Sequence, residues 1–335
     1  MGCALTLSLT PGPAPVGAAH HGAVRMHHRG PDNNGVVERD LGWTRVAVGM
    51  ARLAIVDTRY IPVPFVYPHL GIVLAYNGEL YSAATLRAEL SDGTPWETDC
   101  DAEVVARAWR RWGPAMLHRF NGMFALAVVD ERKREVFVAR DRAGEKPLYM
   151  ATVRNGAGFL SESMHFASEI KALPVPLRER AYWPAEARAL EFDCLDETLF
   201  QDVSAVQSGW AYHATDRGME GRPWWTLPTA DPGGGSETPA AYAAAVDECE
   251  ALVTDAVRIR VAAEVPVALS LSGGLDSAII QAVARLDRLY TVTFPEDGYD
   301  FLTAAQAAAQ GSPVCPILFT RADLDAALPS VAYHL

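Results

Sequence analysis

Long apolar runs are missing from this 335-residue sequence: none reaches the roughly 18 residues that a membrane-spanning helix needs. The N-terminus also lacks a basic stretch followed by an apolar core, so we expect no secretory signal. Positive charge is not in excess, because 41 acidic residues outnumber 29 basic ones and give a formal net charge of -12. This balance argues against a general nucleic-acid binder. We therefore expect a cytoplasmic protein with neither membrane nor nucleic acid as a partner.

Cysteine is scarce and scattered. The five cysteines form no CxxC pair and lie far apart, at Cys3, Cys100, Cys194, Cys249 and Cys315. This pattern indicates free thiols in a reducing compartment, and it does not fit a disulfide framework or a zinc site. The histidines between positions 20 and 28 show no i,i+4 pairing and no acidic partner, so we assign no metal to them.

Half of the residues are hydrophobic, which is enough for a sizeable core, and the length suggests two domains. The clearest break is LPTADPGGGSETP, whose prolines, three consecutive glycines and small polar residues are typical of a linker. We predict a first domain over residues 1–226, a linker over 227–239 and a second domain over 240–335.

The two predicted domains differ in their apolar patterns. Segments rich in Val, Ile, Phe and Tyr predict strands in the first: RVAVGMARLAIVD, LGIVLAYNGELY, NGMFALAVVDE and REVFVARD. Helices are expected at SAATLRAEL and DAEVVARAWRRWG, which suggests a two-sheet domain with packed helices. The second domain alternates helix and strand, with VPVALSL as a fully buried strand, and this order predicts a parallel α/β sheet. The overall fold class is α/β.

The most specific motif is LSGGLDS at residues 271–277, between a predicted strand and a predicted helix. Adjacent glycines allow a tight turn whose N–H groups face an anion, and the helix N-terminus adds partial positive charge. Ser272 and Ser277 can donate to phosphate oxygens, and Asp276 can hold a magnesium ion. The GK[ST] ending of a Walker A loop is missing. The alternative is a simple strand-to-helix turn capped by Asp276.

Six short motifs precede this loop in order: HRGPD, RLAIVD, YNGE, FNGMF, ARDR followed by KPLY, and FASE. SGGLDS resembles the pyrophosphate loop of the N-type ATP pyrophosphatases, and the whole set resembles the glutamine-hydrolysing asparagine synthetases. The resemblance implies an αββα sandwich of the N-terminal-nucleophile (Ntn) hydrolases, which is a class II glutamine amidotransferase domain. It also implies that an incomplete parallel α/β ATP-pyrophosphatase domain, of the adenine nucleotide α-hydrolase type, follows.

In that family an N-terminal cysteine attacks the glutamine amide, and its own α-amine relays the proton. Cys3 matches this nucleophile, and Asn77 with Gly78 matches the oxyanion hole. The resemblance implies that Arg52 pairs with the glutamine α-carboxylate and that two acids hold its α-ammonium. The implied glutamine-binding residues are Arg52, Ile55, Val56, Asn77, Gly78, Glu79 and Asp101.

The resemblance also implies that ATP and Mg²⁺ bind in the second domain. The matching ATP-binding residues are Leu271, Ser272, Gly273, Gly274, Asp276, Ser277 and Phe294, with Asp276 as the metal ligand. Ammonia from glutamine would pass through a channel to an acyl-adenylate, with aspartate as the expected acceptor. Pro295 departs from the family, because a proline removes an N–H donor beside the adenine position. Asp300 fits the family pattern.

Taken singly, the glutamine-site residues have structural alternatives. Asn77-Gly78-Glu79 could be a hairpin turn, since Asn-Gly favours one. Arg52 could form a surface salt bridge. Asp101 could cap the helix that begins at DAEVV. Their joint occurrence at the family's spacing favours the functional interpretation.

The opening MGC departs from the family pattern of Met-Cys-Gly. Removal of Met1 alone would leave Cys3 with a peptide nitrogen, which cannot accept a proton. Three alternatives stay open: further processing that exposes Cys3, a misassigned start, or a first domain without glutaminase activity, as in the related β-lactam synthetases. The retained Arg52, Asn-Gly-Glu and Asp101 favour a working site.

The sequence ends at VAYHL without the second glycine-containing motif, ending in Asp-Glu, that the family carries, so we expect part of the synthetase domain to be missing. The main hypothesis is an ATP-dependent amidotransferase of the asparagine synthetase type. The alternatives are a β-lactam-synthetase-like cyclase with an inert first domain, or a truncated non-catalytic paralogue that binds glutamine or nucleotide. The sequence leaves the acceptor and the oligomeric state open, including a homodimer.

Overall fold

The computed structural model describes residues 2–11, 16–154, 162–179, 196–229, 238–294 and 301–334. The chain divides into two compact units, Met1–Pro228 and Thr229–Leu335. Among the helices of the described ranges, none is both long and apolar enough to cross a membrane.

Two antiparallel sheets, each of six described strands, form the first unit. In spatial order, the first sheet contains β10 (Val203–Ala205), β8 (Tyr149–Arg154), β9 (Glu162–Ala167), β1 (Ala4–Thr10), β3 (Arg45–Arg52) and β2 (Asn33–Asp40). The second contains β12 (Gly218–Pro223), β11 (Trp210–Thr215), β7 (Glu135–Arg140), β6 (Gly122–Asp130), β5 (Ile72–Leu80) and β4 (Phe65–Tyr67). Strand β1 is interior to its sheet, because it pairs with β3 on one side and with β9 on the other.

Alternate residues of the strands fill the space between the two sheets. Leu5, Leu7 and Leu9 of β1 are buried in one cluster with Val73 and Ala75 of β5. This period of two follows from the pleat, which directs successive side chains to opposite faces. Full burial of one Val or Leu side chain is worth about 1.5–3 kcal/mol. The inner faces therefore hold the two sheets together.

Helices cover the outer faces of both sheets. Helix α1 (Val16–Arg25) contacts β1, β2 and β3 of the first sheet. Helices α2 (Ala83–Leu90) and α3 (Asp101–Trp112) lie on the second, where Trp109 is fully buried in one cluster with Leu74 of β5. The unit thus has the layer order helix, sheet, sheet, helix. The predicted αββα sandwich is confirmed.

All four strands predicted in the first unit are confirmed, as β3, β5, β6 and β7, and both predicted helices are confirmed as α2 and α3. Strand β3 ends earlier than expected, at Arg52, where the predicted segment continues to Asp57. The chain turns out of the sheet there, since Asp57 has a φ of 52°. The turn is bonded to the Arg52 guanidinium, as described below.

The second unit contains a parallel sheet in the order β13 (Leu269–Ser270), β14 (Leu289–Thr293) and β15 (Val314–Leu318). Its described helices are α4 (Pro239–Val261), α5 (Leu275–Ala284), α6 (Phe301–Ala308) and α7 (Arg321–His334). Strand and helix alternate from β13 to α7, so the predicted parallel α/β architecture is confirmed.

The prediction of a fully buried strand over VPVALSL is wrong. Only Leu269 and Ser270 of this segment form a strand, at the edge of the sheet, and Pro266, Ala268 and Ser270 are exposed. Pro266 has no N–H to donate to a ladder, which favours an edge position and a short strand. The buried cluster beside it is small: Leu271, Leu289, Ala305 and Ala309.

Candidate active site

Cys3 lies immediately before β1 as a partly buried free thiol. The Leu53 N–H donates to its Sγ at 3.3 Å, and the thiol lies 3.5 Å from the Leu53 carbonyl oxygen that accepts from it. Burial raises the pKa of the Cys3 thiol to about 11, although the Leu53 N–H lowers it in part. The protonated thiol is a weak nucleophile. Attack by this sulfur therefore requires a base.

Two sequence motifs without an assigned role meet at the Cys3 backbone. Arg29 of HRGPD donates from Nε to the Cys3 carbonyl at 3.4 Å and from Nη1 to Glu169 of FASE at 3.3 Å. His28 Nε2 lies 2.9 Å from the same Glu169 oxygen, and Lys171 Nζ lies 2.7 Å from the other. The buried Glu169 carboxylate thus anchors the arginine that holds the residue bearing the thiol.

Arg52 is buried at the end of β3, so the alternative of a surface salt bridge is wrong. Its guanidinium donates to the carbonyls of Arg59 at 3.0 Å, Val56 at 3.3 Å and Asp57 at 2.7 Å. These bonds order the loop that contains Ile55 and Val56. They engage three of the five N–H donors of the guanidinium. The remaining N–H groups and the positive charge suit a carboxylate.

Asn77 and Gly78 lie inside β5, so the hairpin alternative is wrong. The Asn77 side chain is fully buried, and neither its Nδ2 nor its Oδ1 has a hydrogen-bond partner among the described residues. An unpaired buried amide costs about 1–3 kcal/mol, and a ligand could relieve this cost. A Cβ on Gly78 would lie 2.5 Å from the Met123 carbonyl oxygen and 2.8 Å from Phe124 Cβ. Only glycine therefore fits this close approach of β5 to β6.

Two acidic side chains, Glu79 and Asp101, act electrostatically on each other and on the Cys3 thiol. The buried Asp101 carboxylate accepts from the Leu80 N–H at 2.9 Å and from the Tyr76 hydroxyl at 3.1 Å. Helix α3 begins at Asp101, but its N-cap residue is Cys100, so the alternative that Asp101 caps this helix is wrong. Burial and, next, the Asp101 charge raise the pKa of Glu79 to about 7. Burial likewise raises the pKa of Asp101. A bound cation would stabilise the ionised carboxylates of Glu79 and Asp101.

These residues converge on one thiol. The charges of Asp101, Arg52 and Glu79 all act on the Cys3 pKa, so the three side chains lie within electrostatic reach of the sulfur. The site offers a cation for a carboxylate, two acids for an ammonium and an unbonded amide beside the segment that carries the thiol. This arrangement can bind an amino-acid zwitterion and hold its side chain at the thiol.

Lys146 is a candidate site residue that sequence analysis did not assign. A Cβ on Gly2 would lie 3.3 Å from Lys146 Nζ and 3.4 Å from Asn77 Oδ1. The ammonium and the amide therefore flank the backbone just before Cys3. Lys146 is the first residue of the KPLY motif, so the sequence did mark this position. The motif alone does not indicate which residues the lysine side chain approaches.

The LSGGLDS loop joins β13 to α5 in the second unit. Gly273 has a φ of 82°, a backbone conformation that favours glycine. A Cβ at this position would also lie only 2.6 Å from Ala304, so there is no space for a larger residue. Ser272 Oγ lies 3.1 Å from Ser277 Oγ. The N-cap residue of α5 is Gly274, which has no side chain to cap the helix, so the alternative of an Asp276 cap is wrong. Asp276 is exposed in the first turn.

This loop fits a phosphate ligand with a divalent cation. The uncapped first turn of α5 presents N–H groups at the positive end of the helix dipole. Leu271 is fully buried and its N–H donates to the Tyr290 carbonyl at 2.7 Å, which ties the start of the loop to β14. The exposed carboxylate of Asp276 leaves oxygens for Mg²⁺, which prefers such ligands.

Phe294 follows β14 directly. Its ring makes edge contacts with Phe301 and Phe319 at centroid distances of 6.0 and 5.9 Å. The ring therefore packs against two neighbouring aromatic rings while it stays partly exposed. Pro295 and Asp300, on which the sequence analysis also commented, lie outside the described residues.

Two family models match this chain in succession. One, described as a glutamine amidotransferase domain, matches residues 8–225. The other, described as asparagine synthase, matches residues 248–335. The first match alone covers more than half of the chain.

Curated relatives agree with both matches. A Mycobacterium tuberculosis (strain ATCC 25618 / H37Rv) protein, provisionally named a glutamine-hydrolysing asparagine synthetase, is 32% identical over 328 residues, which are 92% of this chain and 49% of that relative. Glutamine-hydrolysing asparagine synthetase B of Escherichia coli (strain K12) is 29% identical over 314 residues, 92% of this chain and 48% of that relative. The chain thus spans about half the length of these relatives.

A solved structure described as the allosteric regulatory enzyme of purine biosynthesis has a TM-score of 0.50 and 16% identity, covering 94% of this chain and 74% of the other. This likeness shows the fold alone. The two family models in succession, together with the curated relatives, show that this chain belongs to the glutamine-hydrolysing asparagine synthetase family, in which a class II glutamine amidotransferase domain precedes an asparagine synthase domain.

Proposed function

We propose that the first unit hydrolyses glutamine at Cys3. The observation that supports this most directly is the buried, unpartnered amide of Asn77, close to the thiol-bearing segment and to the charged groups that a glutamine backbone needs. A purely structural role does not explain why the Asn77 amide is buried without a hydrogen-bond partner. A bound carbonyl would give its Nδ2 an acceptor.

In the proposed reaction, Arg52 binds the α-carboxylate of glutamine, while Glu79 and Asp101 bind its α-ammonium. The Cys3 sulfur attacks the side-chain carbonyl carbon, and the developing oxyanion accepts from Asn77 Nδ2 and the Gly78 N–H. The C–N bond breaks, ammonia leaves with the thiol proton, and a thioester forms. Water then hydrolyses the thioester to glutamate and restores the thiol.

The thiol proton needs an acceptor, because the pKa of Cys3 is raised to about 11. A free α-amine on Cys3 would be that acceptor, as in other N-terminal nucleophiles. With Gly2 attached, the Cys3 nitrogen belongs to a peptide bond and cannot take a proton. The proposal therefore includes removal of both Met1 and Gly2.

For the second unit, we propose ATP binding at residues 271–277, with Mg²⁺ held by Asp276. Gly273, the uncapped start of α5 and the two serines support a phosphate ligand there. The expected chemistry is adenylation of an acceptor carboxylate, with aspartate as the first candidate, and attack by ammonia from the first unit. A homodimer is the first assembly to test, by sedimentation.

The test uses the full chain in two forms, one beginning at Gly2 and one released from a fusion partner so that it begins at Cys3. Glutamate formation and covalent labelling by diazo-oxo-norleucine are measured in both forms. We expect activity and labelling in the Cys3 form, with labelling confined to Cys3. Absence of both in the Cys3 form would contradict glutaminase activity and favour the cyclase with an inert first domain.

A further inference from the structure

Strand β9 leaves the first sheet before it reaches the level of Cys3. Its last residue, Ala167, pairs with Thr6 of β1, and on this side the described chain offers the residues before Thr6 no further strand. Ser168 supplies a first replacement for the missing ladder. Its Oγ accepts from the Leu5 N–H at 3.0 Å, and its own N–H donates to the Leu5 carbonyl at 3.0 Å.

Glu169 supplies a second replacement, through Arg29. The buried carboxylate accepts at Oε1 from Arg29 Nη1 at 3.3 Å, and Arg29 Nε donates to the Cys3 carbonyl at 3.4 Å. The guanidinium thus takes the place of the N–H that a paired strand would donate. On the side of β3, the Leu53 backbone is bonded to the Cys3 thiol. Cys3 is therefore held from both sides, by Leu53 at the sulfur and by Arg29 at the main chain.

Three basic side chains contact the Glu169 carboxylate. Lys171 Nζ lies 2.7 Å from Oε2, and His28 Nε2 lies 2.9 Å from the Oε1 that also receives Arg29. Burial raises the pKa of Glu169, but the hydrogen bonds from Lys171 and His28 outweigh burial, so that the pKa lies below its usual value. Lys171 alone would balance this negative charge, so neutralisation does not account for Arg29. The ionised carboxylate instead gives Arg29 a charge-assisted partner that fixes its direction.

We propose that Glu169 is a positioning residue of the glutamine site: by orienting Arg29 against the Cys3 carbonyl, it fixes the main chain from which the thiol attacks. The proposal rests on the proposed glutamine-hydrolysing function. One Cα atom carries the carbonyl, the thiol side chain and the nitrogen of Cys3. A shift of the carbonyl therefore moves the nucleophile together with the amine proposed as its base. A misplacement of about 1 Å can slow a reaction about 10²-fold.

The first test separates rate from binding in the full chain that begins at Cys3. Glu169→Gln keeps the shape of the side chain and removes its charge. We expect kcat for glutamine hydrolysis to fall about 10- to 100-fold, with KM changed less than about twofold, since the groups proposed to bind glutamine are unaltered. Glu135→Gln is the matched control, because Glu135 is a buried glutamate of the second sheet that pairs with Lys133 and His213. An unchanged kcat in Glu169→Gln, or an equal loss in the control, overturns the proposal.

The second test asks whether Glu169 acts through Arg29. Arg29→Met removes the donor to the Cys3 carbonyl and keeps an unbranched side chain. Because the two residues form one path to Cys3, the double variant Arg29→Met/Glu169→Gln should be no slower than Arg29→Met alone. Losses that multiply in the double variant overturn the proposal. Should the unpaired charge of Lys171 unfold Glu169→Gln, Lys171→Met/Glu169→Gln, which removes both charges, takes its place in each comparison.

The third test observes the Cys3 carbonyl without glutamine. The full chain is labelled with cysteine that carries ¹³C at the carbonyl, and Cys3→Ala identifies the Cys3 resonance by its loss. Glu169→Gln and Arg29→Met should both move this NMR resonance in the direction of a lost hydrogen bond, whereas Glu135→Gln should leave it in place. A resonance that does not move in Glu169→Gln overturns the proposal. If the wild-type chain that begins at Cys3 forms no glutamate, the proposed function fails, and the carbonyl resonance still decides whether Glu169 positions Cys3.

Discussion

The Cys3 thiol and the Leu53 backbone are hydrogen-bonded in both directions, with 3.3 Å from the Leu53 nitrogen to Sγ and 3.5 Å from Sγ to the Leu53 oxygen. The same loop contributes three carbonyls to Arg52. The proposed nucleophile, Cys3, and the proposed partner of the substrate carboxylate, Arg52, are therefore positioned by one short segment. A change in that segment would alter both groups.

The first prediction concerns the N-terminus. The form that begins at Cys3 should hydrolyse glutamine about 10²–10⁴-fold faster than the form that begins at Gly2, because only the former has a basic amine beside the sulfur. The two rates are measured as glutamate released under identical conditions. Cys3→Ala should abolish labelling by diazo-oxo-norleucine, whereas Cys249→Ala, an exposed cysteine of the second unit, should not. Equal rates in the two forms would rule out the terminal-amine mechanism.

The second prediction concerns Arg52. Arg52→Lys keeps the charge but loses the forked donor geometry, and Arg52→Ala loses both. We expect the glutamine KM of Arg52→Ala to rise about 10- to 100-fold, the equivalent of a charge-assisted hydrogen bond of about 1.5–3 kcal/mol. Arg45→Ala, at the exposed end of the same strand, is the matched control and should leave KM unchanged. Steady-state kinetics with an unaltered KM in Arg52→Ala would remove Arg52 from the binding site.

The third prediction concerns stability against pH. The pKa of Glu79 is raised in the folded state to about 7 from an ordinary value of 4.5. Between these values the native chain binds more protons than the unfolded chain, so this contribution to stability is complete below pH 4.5 and is lost as the pH rises through 7. Glutamine cannot ionise, so the Glu79→Gln variant does not lose stability through this group as the pH rises. We expect the variant to be more stable than the wild type by about 1–3 kcal/mol at pH 8, with little difference at pH 4.

Chemical denaturation of the ligand-free protein at the two pH values checks this. Glu220→Gln, which neutralises an exposed acid of the same unit, serves as the control. Stabilisation that is the same at both pH values, or that the control shares, would mean that the Glu79 charge is not the cause. The same variant should bind glutamine poorly, so a gain in stability is expected to accompany a loss of function.

The fourth prediction concerns the phosphate loop. Asp276→Ala should abolish magnesium-dependent nucleotide binding, because it removes a ligand and adds no bulk. Gly273→Ala should also abolish binding, since a Cβ there meets Ala304 at 2.6 Å on a backbone with φ of 82°. Fluorescent ATP analogues give the affinities, and glutaminase activity reports on the first unit. Asp287→Ala, an exposed acid between α5 and β14, is the matched control, and an affinity for ATP retained in Asp276→Ala would exclude Asp276 as the metal ligand.

Local pattern was sufficient to predict the strands and helices that support the candidate glutamine site. The β-branched and aromatic residues of β5 and β6 and the three-to-four spacing of apolar residues in α3 are strong signals of strand and helix, although both strands are buried on both faces. The VPVALSL segment carried no such signal. An apolar run with Pro266 in it carries no periodicity that distinguishes an interior strand from a two-residue edge pairing.

Contacts between distant residues could not be predicted in this way. Lys146 lies beside Gly2, which is far away in the sequence, and no local spacing encodes that approach. The role of Glu169 as an anchor for Arg29 spans 140 residues. Both depend on how the sheets are joined, and sequence periodicity contains no information on that.

The interior position of β1 also sets the order of events during synthesis. Thr6 pairs with Ala167 and Leu9 with Met164, so the first strand cannot complete its sheet until β9 has left the ribosome. Until then the segment before β1 lacks one of its neighbours, because non-local pairings form late. The removal of Met1 and Gly2 that we propose could therefore take place while some 160 further residues are translated, before β9 completes the sheet.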